Sequence, residues 1–281
     1  MSAVRLFRLT SLAMLAFAAN SILCRLALRE TAIDAATFTS VRIAAGAFAL
    51  ALIARSRNTN AARGGNWISA AALFAYAIAF SFAYRDLSAG SGALLLFGAV
   101  QMTMILWGWQ RGERPSLIQF AGLTLALAGV AWLVWPRVSA PPPIAAASML
   151  SAGVAWGVYS LRGRGAGDPL GETAGNFLRA LPLALFASAL FLTHAHYDAR
   201  GVSYALISGA LTSGVGYAIW YAALRGLDAT RAATVQLSVP LLAAIAGVLL
   251  LDESFSSRLG VASIAILGGI ALVIFRRRPV A

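Results

Sequence analysis

Polar side chains are scarce inside the apolar stretches of this chain, so each one found there needs a reason. Arg42 and Arg179 each sit about two turns into such a stretch. A guanidinium facing a cavity can hold a carboxylate through two parallel hydrogen bonds. Otherwise it reaches out to a polar edge or bonds carbonyls of neighbouring helices, and both readings stand for both residues. Asn20, Gln101 and Gln236 are uncharged donors and acceptors, suited to a zwitterion or to joining helices. Tyr76, Phe80, Phe97, Trp156, Tyr159, Tyr217 and Trp220 lie away from the ends of their stretches. Together they could wall a mostly apolar pocket with polar edges. Pro240 has no N–H to offer the Gln236 carbonyl, and Pro182 likewise leaves the Leu178 carbonyl free beside Arg179. Each is a hinge or a source of a free carbonyl. Gly153 and Gly157 form a G-x-x-x-G pair, read as close helix packing or as the sliding face of a gate.

What is missing narrows the chemistry further. All ten acidic residues fall in connections or at the ends of apolar stretches: Glu30, Asp34, Asp86, Glu113, Asp168, Glu172, Asp198, Asp228, Asp252 and Glu253. No deep carboxylate is available for acid–base catalysis or as an ion site, and no convergent nucleophile accompanies one. His194-Ala195-His196-Tyr197-Asp198 offers two histidines at i, i+2 with little else nearby, a weak metal motif. There is no lysine and no G-x-x-x-x-G-K-[ST] loop, so nucleotide hydrolysis is excluded. Cys24 is the lone cysteine, which rules out an intrachain disulfide. No cofactor and no metal are expected, and an intramembrane enzyme is disfavoured.

These residues are positioned by elements that the composition identifies. The chain is 60% hydrophobic and only 11% charged, with mean hydropathy +0.78. Apolar runs near the length needed to cross a bilayer core recur from end to end. The expected spans are 8–28, 34–55, 66–85, 88–109, 116–136, 143–161, 172–193, 201–223, 229–251 and 257–275. The first is read as a retained span rather than a cleaved leader, because it runs on into Asn20 and Arg25. Trp67, Trp109, Trp132 and Trp135 suit interfacial anchors. The net charge of +12 comes entirely from arginines scattered between spans, which argues for topology control and against nucleic acid. With a cytoplasmic N-terminus, fourteen arginines fall inside and six outside. Both termini are therefore expected in the cytoplasm of a cell whose inner (plasma) membrane holds the chain, which requires an even number of spans.

The chain also repeats. Shifting 80–136 by 140 residues aligns Arg85 with Arg225, Glu113 with Glu253, Ser116 with Ser256 and Gly129 with Gly269, without a gap. Earlier in the chain, a shift of 137 pairs Arg25 with Arg162 and Arg42 with Arg179. The fold class expected is an all-α polytopic membrane protein of ten transmembrane helices, built as two inverted five-helix repeats over 1–138 and 139–281. An odd number of crossings per unit turns the second unit over, and such repeats are characteristic of carriers that hold substrate between their halves.

The segment from Gln236 through Pro240 and Gly247 to Asp252-Glu253, followed by a glycine-rich last span, resembles the second repeat of the EamA family. That family belongs to the drug/metabolite transporter superfamily. Leu94 to Glu113 is similar to the matching region of the first repeat, but has Val100 where Pro240 falls. Within the family, the aromatic-rich interior is most similar to the YddG-type aromatic amino acid exporters. The resemblance implies export of small amphiphilic metabolites, amino acids above all, by alternating access, with multidrug export as the rival reading and a channel as another. With no deep carboxylate, facilitated diffusion or exchange is favoured over proton coupling. The partners expected are the small-molecule substrate and membrane lipid, not nucleic acid, and a monomer is compatible with all of this.

Overall fold

The structure, a computed structural model, describes residues 2–57, 64–110, 116–135, 140–163, 167–227 and 235–275. Ten helices account for most of them: α1 (Ala3–Glu30), α2 (Ala35–Ser56), α3 (Trp67–Tyr84), α4 (Ala89–Gln110), α5 (Leu117–Val134), α6 (Pro143–Gly163) and α7 (Pro169–Leu190). They are followed by α8 (Ala199–Leu224), α9 (Ser238–Leu251) and α10 (Ser257–Phe275). No strand occurs among the described residues. Seven helices, α1–α4 and α6–α8, are long and apolar enough to cross a membrane; the apolar stretches of α5, α9 and α10 are shorter. Large apolar side chains such as Phe48, Phe186, Leu249 and Ile264 stay exposed on the outer faces. Lipid satisfies such a surface, while helices satisfy their own backbone within it.

Local sequence sets where the helices begin. Asp34 caps α2 by accepting from the Ala36 and Thr37 N–H groups at 2.9 Å. Asn66 caps α3 through Ser69 N, and Asp198 caps α8 through Gly201 N. Ser116 and Gln119 form a capping box on α5. Pro143 and Pro169 open α6 and α7, where a missing N–H costs nothing. At the ninth span, Val235 and Gln236 are helical, Leu237 is a turn and α9 starts at Ser238, so Pro240 lies in a first turn. The helix is interrupted just where Pro240 has no N–H to offer the Gln236 carbonyl. Pro182 lies inside α7, which continues through it. Pro136, Arg137, Val138 and Ser139 at the midpoint lie outside the described residues, as do Glu113 and much of the expected cytoplasmic arginine set.

Helix pairing has a regular pattern. α5 packs on α10, α2 on α7 and α4 on α9. The other major pairs come in sets: α3 with α6 and α8 with α1; α4 with α6 and α9 with α1; α3 with α7 and α8 with α2. Advancing every helix by five positions, and returning past ten to one, carries the first three pairings onto themselves and each of the others onto its set partner. Close approaches make them possible. A Cβ on Gly209 of α8 would fall 2.1 Å from the Arg42 carbonyl oxygen on α2, so only glycine fits there. Gly153 and Gly157 lie against Leu96, Ala99 and Thr103 of α4, with a built Cβ 2.5 Å from Leu96 O at the first and 2.9 Å from Thr103 Cβ at the second. They pack α6 onto α4.

The ends of the bundle are fastened by polar groups. At one end Arg25 Nε meets Glu253 Oε1 at 3.1 Å, while its Nη1 donates to the carbonyls of Tyr84 and Arg85 at 3.0 Å. Glu253 Oε2 also accepts from Ala89 N at 2.8 Å, at the start of α4. Asp252, in the left-handed region at φ 50°, turns the chain so that Glu253 folds back over Gly247. Arg258 at the same end donates to the carbonyls of Trp132 and Trp135, closing the C-terminus of α5. At the other end Arg162 donates to Ser69 Oγ at 3.0 Å and to Asn66 Oδ1 at 3.1 Å. There the Gly65 and Asn66 N–H groups donate to Glu172 and Asn176 of α7.

Candidate functional site: an aromatic cavity with an amide at its edge

Five helices converge on a small cavity lined by Phe17, Asn20 and Ser21 of α1, Tyr76 and Phe80 of α3, Leu96 and Phe97 of α4, Trp156 of α6 and Tyr217 of α8. The volume open to the centre of a water molecule is only about 10 Å³, room for roughly one water. In this form the rings themselves fill the space. Trp156 lies at its hub, with ring centroids 4.6 Å from Tyr217, 4.9 Å from Tyr76, 5.5 Å from Tyr159 and 5.9 Å from Phe17. Trp220 meets Phe17 edge-on at 5.8 Å, and Phe177 packs behind Tyr217.

One amide organises the polar edge. Asn20 Oδ1 accepts from Ser208 at 2.7 Å, from Thr212 at 3.0 Å and, more weakly, from Ser213 at 3.4 Å. Its Nδ2 donates to the Tyr76 hydroxyl at 3.3 Å, which also accepts from Tyr217 at 3.2 Å. Three hydroxyls of α8 reach a single oxygen because Ser208–Val215 is wound as a π-helix. Bonds that reach one residue further bring positions five apart closer to one face. The indole N–H of Trp156 and that of Trp220 are buried without a hydrogen-bond partner among the described residues. None of the described carboxylates lines the cavity. Such a site can sort ligands by shape, ring stacking and neutral hydrogen bonds; it holds no group suited to acid–base or nucleophilic chemistry.

Of the residues singled out from sequence, Asn20, Tyr76, Phe80, Phe97, Trp156 and Tyr217 line the cavity. Tyr159 and Trp220 form a second layer. Gln101 and Gln236 are buried but are not among the lining residues. Arg42 is 2% exposed, and its guanidinium carbon lies 5.3 Å from the Phe80 ring centre and 5.7 Å from that of Tyr76. It therefore sits directly behind two lining rings and does not reach outward. Arg179 is elsewhere: it donates to the carbonyls of Gly64 and Gly175 near one end of the bundle. His194 and His196 bond locally, and His196 N donates to Asp34. Among the described residues, no three or more His, Cys, Asp or Glu side chains gather as a metal site. Phe17, Ser21, Leu96 and the Ser208–Thr212–Ser213 trio were not foreseen. The trio's i, i+4, i+5 spacing within an apolar run was the available signal, but it suggests one face only if the helix is underwound.

Comparison with known proteins agrees with this architecture. The EamA-like transporter family matches the chain twice, over residues 8–135 and 143–275. A Pseudomonas aeruginosa protein named "Uncharacterized protein PA1977" is 55% identical over 275 residues, which is 97% of this chain and 96% of that protein. A solved crystal structure aligns with TM-score 0.69 over 99% of this chain and 100% of its own, at 17% identity, a likeness of fold alone. This chain belongs to the EamA-like transporter family, a family of transporters, not enzymes, in the drug/metabolite superfamily, and is thus a multi-pass membrane protein.

Proposed function

We propose that this protein exports small amphiphilic metabolites across the bacterial inner membrane, with neutral and aromatic amino acids as the best-fitting substrates. It does so by alternating access around the aromatic cavity, and it is closest in kind to the YddG-type exporters. The observation that carries the reading is the cavity itself: six aromatic side chains closed around one amide, where helices from both parts of the chain meet. The halves are 1–138 and 139–281, ten spans in all, inverted relative to each other. The pairing pattern that survives a shift of five helices supports this. So do the fastened ends, since the C-terminus of α1 joins one end while that of α6 joins the other. Arginine bias sets both termini in the cytoplasm.

Transport then needs the two sets of fastenings to open in turn. Arg25–Glu253 would close the outer side and Arg162 with Asn66 the inner side, while the halves rock about α6 and α4 at Gly153 and Gly157, with Pro182 and Pro240 easing the bend. Gln101 and Gln236 supply polar groups along the route, and Arg179 braces the inner end. With no carboxylate at the cavity, movement follows the substrate gradient or exchange.

Counterflow of radiolabelled phenylalanine and tryptophan in proteoliposomes, with and without a pH gradient, tests this. The expected result is gradient-independent flux that Trp156→Ala lowers without lowering membrane abundance. Strict proton dependence would sink the facilitator mechanism. Movement of cationic dyes without amino acids would replace the substrate class with drugs.

A further inference from the structure

Arg42 is the one described cation in the interior of the bundle that has no carboxylate near it. The ion pairs among the described residues are Arg25–Glu253 and Arg29–Glu30, both toward the ends of helices. Arg42 Nη2 donates to the Ala77 carbonyl at 2.9 Å, and the faces of Phe38, Tyr76 and Phe80 surround its guanidinium carbon at 5.3–5.7 Å. Its Nη1 is buried with no hydrogen-bond partner among the described residues. Ring faces and one carbonyl soften a buried charge but leave it uncompensated. A membrane-embedded arginine in this position needs an anion from somewhere.

The cavity is the nearest place for one. Tyr76 and Phe80 belong both to its wall and to the cage around Arg42, so the guanidinium is a single ring-thickness away. We infer that Arg42 makes the cavity selective for the carboxylate of its ligand: the substrate class is aromatic or apolar carboxylates, acids as well as amino acids, and an ammonium group is dispensable. This rests on the transport reading above and narrows it. A carboxylate entering between the parted rings would take up the free Nη1–H, with bidentate geometry within reach of a guanidinium. An amine lacking a carboxylate brings a second positive charge into a site with no fixed negative one. Asn20 Oδ1, the strongest acceptor present, is already engaged by three hydroxyls.

The test is a charge series on one ring: 3-phenylpropanoate, phenylalanine and 2-phenylethylamine, titrated calorimetrically into the detergent-purified full-length protein. The acid and the amino acid should bind at least about tenfold more tightly than the amine, the scale expected of one charge acting across a poorly screened few ångströms. Arg42→Gln should level the three. Arg42→Lys should keep the order while weakening the acid, because an ammonium cannot fork. Amine binding within about twofold of the acid in the unmodified protein overturns this inference and leaves the aromatic pocket standing. Failure of all three to bind overturns the pocket as well. If Arg42→Gln does not fold, the series on the unmodified protein decides the matter alone.

Discussion

The two parts of the chain share helix pairing but not lining. Under the repeat's own register Arg42 corresponds to Arg179 and Asn20 to Gly157. One arginine is sealed behind the cavity rings, while the other holds two carbonyls near the end of the bundle. The asparagine anchors three hydroxyls; the glycine merely admits Thr103 of α4. Leu96, in the wall, corresponds to Gln236, which is not. The two parts thus share a packing frame, while the residues that line the cavity differ from their counterparts. Symmetry of packing is no guide to symmetry of chemistry.

That contrast can be broken most directly at Asn20. Asn20→Ala leaves the α8 hydroxyls without their shared acceptor and Tyr76 with Tyr217 as its one remaining donor, and should cut transport by about tenfold or more, in line with the ~1–3 kcal/mol cost of stranding buried polar groups. Gly157→Ala, its counterpart, acts through the tight contact with Thr103 rather than on the cavity's polar edge, and should lower transport less than Asn20→Ala does. Equal losses of transport in the two would refute the asymmetry. A smaller effect is expected at the ends. Cys24 is the chain's single cysteine, fully buried next to Arg25. Glu253→Gln loosens the fastening beside it and should raise Cys24 labelling by a membrane-impermeant maleimide several-fold. Arg162→Gln, at the opposite end, should leave that labelling unchanged; a matching rise there would mean the ends do not open separately.

The smallest effect concerns the connection between α1 and α2. Burial pulls the Asp34 carboxyl upward, but hydrogen bonds from Thr37, His196 and Ala36 outweigh it and hold the group below the ordinary carboxylate range. The ionised form is therefore the one the fold favours. Its contribution is present above the ordinary carboxylate pKa and is lost as pH falls through the depressed value. Thermal melts in detergent should show a modest loss of stability at the acid end, which Asp34→Asn flattens. An unchanged acid limb in that variant would remove Asp34 as its source.

Much of the architecture could be read directly from residue order. Apolar run length placed most of the helices within a few residues, because lipid tolerates little else, but α1 begins at Ala3 rather than 8 and α9 at Ser238 rather than 229. The lining was legible where an aromatic or amide interrupts a run away from its ends, as at Asn20, Tyr76 and Trp156. It was illegible where the side chain is unremarkable by type. Leu96 and Phe17 line the cavity only because of which way their helices face, and α1 shows no strong one-sided pattern in a chain that is apolar all round. Arg42 and Arg179 were indistinguishable in sequence for a related reason: their depth depends on what packs over them, which periodicity does not encode. The repeat register also slips by three residues between Arg179 and Arg225, and the π-wound Ser208–Val215 segment falls within that stretch.

That underwound stretch has a consequence for how one helix can serve two masters. In a plain α-helix each residue advances the face by about 100°, so a helix that presents Gly209 flat against α2 would commit every later side chain to a fixed bearing. Spreading the backbone bonds over a wider turn resets the bearing partway along. At the start of this stretch, where Gly209 lies, α8 is a spacer that lets two backbones touch; beyond it, the same helix aims Tyr217 and Trp220 at the rings of α1 and α6. The widened turn is a phase shifter, and it lets a packing element and a ring-bearing element share a single uninterrupted rod.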